Sequence, residues 1–89
     1  MLTPEYTTQF RRDLKRMLKR GKDGAILRLV LDDLIGEVPL DPSKLDHRLS
    51  GQWINHRDCH VQPDWVLIYK KMAGVIRFVR TGSHADLFE

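Results

Sequence analysis

Eighty-nine residues, 42% of them hydrophobic and 30% charged, with a net charge of +3, describe one small globular domain and exclude a disordered chain. The longest apolar run, Trp65–Tyr69, is far short of the roughly 20 residues a membrane helix needs, and no charged-then-apolar leader opens the chain. A single cysteine, Cys59, cannot form an internal disulfide, so a reducing cytoplasm is the expected compartment.

The charge is unevenly spread: +5 over residues 1–30, −4 over residues 31–46 and +2 over residues 47–89. Such a chain suits a polyanionic partner without requiring one. Leu2, Pro4 and Tyr6 fit either a short strand or an early helical turn opened by Thr3-Pro4. Phe10, Leu14, Met17 and Leu18 then follow the spacing of one helical face. They predict a first helix capped at Thr7 or Thr8 and ended at Gly21. Asp23 caps a second helix whose face is Leu27, Val30, Leu31 and Leu34, and Gly36 closes it. The short link predicts an antiparallel helical hairpin. Pro39, Asp41, Pro42 and Ser43 mark an irregular connector.

Beyond residue 47 the period changes to two. Arg57, Cys59 and Val61 alternate with Asp58, His60 and Gln62, which predicts a strand. The continuous run Trp65–Tyr69 predicts a central strand buried on both faces. A turn is expected over residues 71–74, then a strand over residues 75–80, a break at Thr81-Gly82-Ser83 and a short tail. The fold class is α+β: an N-terminal helical hairpin packed on a mainly antiparallel, twisted sheet.

All four histidines, His47, His56, His60 and His84, lie in the second half. Histidine titrates near neutral pH without special tuning. A metal reading of His56, Cys59 and His60 conflicts with the alternation, because two strand residues four apart are separated by about 13 Å. Acid–base chemistry on RNA fits better. A base takes the 2′-hydroxyl proton, an acid protonates the leaving 5′-oxygen, and cations stabilise the phosphorane, with no cofactor. His47, His60, Asp64 and His84 supply titratable groups, and Arg57, Arg77 or Arg80 the cations. The competing account makes them ordinary surface side chains. Likewise Arg11, Arg12, Lys15, Arg16, Lys19, Arg20 and Lys22 either track phosphates or form a solvated helix face. Trp53, Trp65, Tyr69 and Phe78 read as core. Phe88, next to the last residue, reads as a base-stacking platform or a tail docked on the sheet.

Four blocks carry a resemblance: Asp46–Gly51, Trp53, Arg57–Tyr69, and Arg80–His84 with Leu87-Phe88. In order and spacing they resemble YafQ-type toxins of bacterial toxin–antitoxin pairs, within the RelE/ParE superfamily, and the likeness runs along essentially the whole chain. The resemblance implies a microbial-ribonuclease-like fold and an mRNA interferase cutting translated mRNA in the ribosomal A site. It also implies a cognate antitoxin that blocks the toxin, the complex then binding operator DNA to repress its own operon. It places His47, His60, Asp64, His84 and Phe88 at active-site positions. His84 is then the general acid, His60, Asp64 or His47 the base or its orienting partner, and Arg80 or Arg57 the phosphate's counter-charge. His56 matches no functional position and reads as surface. Cys59 departs from the small residue often present in relatives. The histidine set argues against the gyrase-poisoning ParE branch. The alternative is a non-catalytic, degenerate toxin acting as an antitoxin-bound operator-binding component.

Overall fold

The computed structural model describes residues 1–89. Thr3–Tyr6 form β1, which settles the ambiguity at the N-terminus in favour of a strand. It is an edge strand paired in parallel with the last strand, from Thr3 opposite Val75 to Tyr6 opposite Phe78. An edge position tolerates Pro4, which has no N–H to donate. Helix α1 spans Thr8–Lys19, with the Thr7 hydroxyl accepting from Phe10 N at 2.9 Å. Helix α2 spans Gly24–Ile35, capped by Asp23. Its four predicted apolar positions are all buried.

On α1 the expected face shifts. Phe10 and Met17 are buried, but Leu18 is 47% exposed and Asp13 is fully buried. The stripe facing the sheet is therefore Phe10, Asp13, Leu14 and Met17, with a carboxylate at its centre. The two helices share one core yet stay splayed. Leu14, Leu18, Leu27 and Leu31 line an open apolar groove of about 330 Å³ between them.

The connector carries a 3-10 turn at Pro42–Lys44, capped by Asp41, and leads to β2 at His47–Arg48. A second 3-10 turn, Gly51–Trp53, precedes β3 at Arg57–Gln62. Strand β4 is Trp65–Met72 and β5 is Val75–Gly82, followed by the short helix α3, His84–Phe88. The sheet order is β1-β5-β4-β3-β2, with every pair antiparallel except β1–β5. The expected turn over residues 71–74 is shorter than the sequence suggested. Lys71 and Met72 continue β4 opposite Ile76 and Val75. Only Ala73 and Gly74 reverse the chain, Gly74 at φ +73°, where a side chain is disfavoured.

Trp65–Tyr69 are buried on both faces, as expected for the central strand. Trp65, Leu67 and Tyr69 meet the helices together with Cys59, Val61, Ile76 and Phe78. Val66 and Ile68 meet Leu87, Leu49, Trp53 and Val79 on the other side. Cys59 is enclosed, and burial pushes its thiol up to about 12.

Asp13 joins α1 to β5. Its carboxylate accepts from Arg80 Nε at 2.8 Å and Nη2 at 3.1 Å, from Thr81 N at 3.2 Å, and from Gln9 Nε2 at 3.0 Å. A buried carboxylate is tolerated when paired and fully hydrogen-bonded, and removing one partner strands the other. Asp13→Ala should lower the unfolding free energy by about 3 kcal/mol in urea titration. A loss below about 1 kcal/mol would show the pair to be peripheral.

Candidate active site

On the sheet face opposite the helices, His47 and Asp58 sit directly across the β2–β3 ladder. His60 lies two residues further along β3, on the same face and about 7 Å away. The β3–β4 hairpin turns at Pro63-Asp64, and α3 brings His84 over that turn. The rings of His60 and His84 are 5.2 Å apart, and those of His84 and Phe88 5.9 Å. The helix that presents His84 is closed by a capping box. Ser83 Oγ accepts from Asp86 N and the Asp86 carboxylate accepts from Ser83 N. Arg20 holds the same carboxylate at 2.6 Å and lowers its pKa well below the usual range.

Hydrogen-bond partners orient the three rings alike. His60 Nδ1 faces Pro63 O at 3.3 Å and His47 Nδ1 faces Leu45 O at 2.6 Å. A carbonyl only accepts, so each Nδ1 carries the hydrogen and each Nε2 is left free. His84 Nδ1 lies 3.0 Å from Asp64 Oδ1, which also accepts from His84 N at 3.1 Å. These two bonds to His84 hold the Asp64 pKa below its ordinary value. Asp64 therefore seats both the ring and the first turn of α3.

Asp58 lies beneath this set and is the residue that sequence reasoning passed over. It is 3% exposed, and its Oδ1 is 3.1 Å from His47 Nδ1. That contact is electrostatic rather than a directed hydrogen bond, because the Nδ1–H points at Leu45 O. Oδ1 is otherwise without a donor. Burial raises the Asp58 pKa, and the nearby His47, His60 and His84 pull it back. The available signal was the alternation itself, which put Asp58 on the face of His60 and Gln62.

Both arginines are already engaged by carboxylates, although Arg80 lies in the same cross-sheet row as Ile68 and Asp58. Arg80 is held by Asp13, and Arg57 Nε by Asp46 Oδ1 at 3.2 Å, with Tyr69 donating to the same oxygen at 2.6 Å. Arg57 alternates with Asp58 and His60, so its side chain leaves on the other face of β3. Arg77, the third arginine considered, pairs with Glu5. Lys22 contributes positive charge near Asp64 instead. Phe88, 39% exposed, packs on His84 and not in the main core. His56 stands apart from the other histidines. Its Nδ1 faces Ile54 O and its ring meets Trp53 edge-on, so it does not pair with His60. Along α1, Arg16 and Arg20 are engaged by Asp13 and Asp86 and Arg11 lies over Tyr6, which interrupts the basic stripe.

Residues 2–89 match the family described as bacterial toxins of type II toxin–antitoxin systems, YafQ. The chain belongs to the YafQ toxin family. It is 46% identical over 85 residues to the mRNA interferase toxin YafQ of Escherichia coli K12, covering 94% of this chain and 92% of that protein. The crystal structure of YafQ from E. coli BL21(DE3) superposes with a TM-score of 0.94 at 42% identity, covering all of both chains. The E. coli DinJ–YafQ complex gives 0.93 at 43% identity, again over the full length of both chains. The α+β architecture read from the sequence is thus that of the YafQ toxins. No helix is long and apolar enough to cross a membrane.

Asp58 also has a measurable signature. Its folded-state pKa is raised above the unfolded carboxyl's value of about 3.9, so its ionisation weakens the fold as pH rises through the folded value. Asp58→Asn removes that ionisation. The difference in Tm, variant minus parent, should be more positive near pH 7 than near pH 3, below the unfolded value. An equal difference at both pH values would contradict the burial account.

Proposed function

We propose that the chain is the toxin of a type II toxin–antitoxin system and acts as a ribosome-dependent endoribonuclease. On this reading it cleaves translated mRNA by acid–base chemistry at His47, Asp58, His60, Asp64 and His84. The observation that carries this is the pairing of two differently supported imidazoles, His60 and His84, with both Nε2 atoms free. His84 donates Nδ1–H to a carboxylate, which fixes the ring with Nε2 outward and suits a general acid for the leaving 5′-oxygen. His60 donates Nδ1–H to a carbonyl, which leaves Nε2 placed to accept the 2′-hydroxyl proton. Asp64 is the positioning residue of the acid. Asp58 stabilises positive charge on the surrounding histidines, and that charge faces the phosphorane in place of the two engaged arginines.

Arg80 acts at one remove, by fixing the end of β5 from which α3 departs, and Arg57 by holding Asp46 next to His47. Phe88, stacked on His84, is placed to receive a base beside the scissile phosphate. The name of the E. coli relative, an mRNA interferase, supports the reaction class. The crystallised DinJ–YafQ pair supports a cognate antitoxin as partner. The same reading places the protein in the cytoplasm, where ribosomes are, and assigns operator binding to the toxin–antitoxin complex.

His84→Ala should lower the rate of mRNA cleavage by roughly 10²–10⁴-fold and abolish growth arrest, while the variant stays folded and antitoxin-bound. Cleavage mapped by primer extension with and without ribosomes reads both points. Full cleavage by the variant would remove His84 as the acid. Growth unaffected by the parent protein would favour the non-catalytic alternative. Activity should persist in EDTA.

A further inference from the structure

The β3–β4 hairpin has a second functional end. Its closed end carries the turn at Pro63-Asp64 with His60 and His84. Its open end carries Arg57, Lys70 and Lys71, with Arg48 alongside on β2. These four, with Asn55 and His56, line a groove of about 660 Å³ whose lining contains no carboxylate. Arg48 faces Arg57 directly across the β2–β3 ladder. Like charges in that position destabilise a sheet. Arg57 is compensated by Asp46, whereas Arg48, Lys70 and Lys71 have no carboxylate within ion-pair distance. Asp13 and Asp86 neutralise Arg16, Arg20 and Arg80, whereas the groove gathers its unpaired cations into one concave surface. An uncompensated cationic cleft on a chain of net charge +3 is a site for an anion the chain does not contain.

We infer that this groove binds an RNA phosphodiester backbone away from the scissile phosphate. Arg48 can engage a phosphate through two parallel N–H bonds and the lysines act as point charges. The Asn55 amide and the free His56 Nε2 add polar contacts, which gives His56 a role the proposed active site does not. Lys70 lies two residues from Ile68, the cross-strand partner of Asp58, on the histidine face and about 7 Å along β4, so one strand running off the histidine cluster reaches the groove. The identification of the anion as RNA rests on the proposed ribonuclease reading. The backbone belongs either to the flank of the cleaved strand or to a second, structured RNA.

The test uses the full-length protein with two probes: a short non-cleavable 2′-O-methyl single strand and a blunt RNA duplex. Binding is measured against salt for the parent, for an R48Q/K70Q/K71Q variant, and for an R12Q/K15Q/K19Q variant. The last removes the same charge from exposed positions of α1. The groove variant should weaken binding and flatten the slope of log K against log salt by about 2, at roughly 0.7 per single-strand phosphate contact. K71Q alone should flatten it by about 0.7. The α1 variant should keep the parent slope. Loss confined to the single strand assigns the groove to the cleaved strand's flank, and loss with the duplex to a second RNA. A groove variant that binds both probes like the parent, or an α1 variant that loses as much, overturns the inference. Parent protein that binds through the groove but never cleaves would overturn the ribonuclease reading alone.

Discussion

The ion-pair network around Asp13 is the constraint on which the active face depends. Asp13 sits fully buried under α1 and takes hydrogen bonds from Arg80 and from the Thr81 backbone, which sets where β5 ends. Two residues later Ser83 begins α3, and Arg20 on α1 grips Asp86 within that helix. Both ends of the short segment joining β5 to α3 are therefore tied to the same helix. A helix of five residues has little stability of its own, because nucleation consumes most of its hydrogen-bond gain. Tertiary ties and a capping box replace the missing length, and His84 inherits its position from them.

The central strand has a different job. Because β4 is buried on both faces, it separates a helix-side core from a smaller cluster made by Val66, Ile68 and Leu87. Leu87 is the apolar anchor of α3, and it sits three residues after His84, one helical turn away. Packing of that one leucine thus presses the histidine-bearing end of α3 toward the β3–β4 turn. The sheet also accepts an unfavourable burial at Asp58, whose Oδ1 lacks a donor. Buried unsatisfied carboxylate oxygens are rare, and one directly beneath three histidines is the arrangement expected where charge must be stabilised transiently.

Much of this was legible in the residues. The helix caps at Thr7 and Asp23, the four buried positions of α2 and the doubly buried run Trp65–Tyr69 follow from local rules about periodicity and capping. The third strand's alternation separated His60 from Arg57 correctly. What failed was the pairing of charges. Arg57 and Arg80 looked available to a phosphate because net charge and spacing carry no record of which carboxylate reaches which guanidinium. Asp46 and Asp13, the ones that do, lie 11 and 67 residues away in the chain. Leu18 failed for a related reason: an apolar residue was given the place that Asp13 occupies, since a helical face pattern does not anticipate a buried ion pair.

By itself, the sequence determined the elements: where helices begin, where the period changes and which strand is central. Each is a property of neighbours within a few residues, where capping, φ limits and side-chain alternation act. Tertiary structure alone decided the chemistry's surroundings. It tilted His84 over His60, put Asp58 under both, engaged Arg57 and Arg80 with carboxylates and left Arg48, Lys70 and Lys71 uncompensated at the far end of the hairpin. The physical reason is range. Electrostatic environment and burial are set by groups that meet only when distant segments pack, so a residue's partner is unknown until the sheet order and register are fixed.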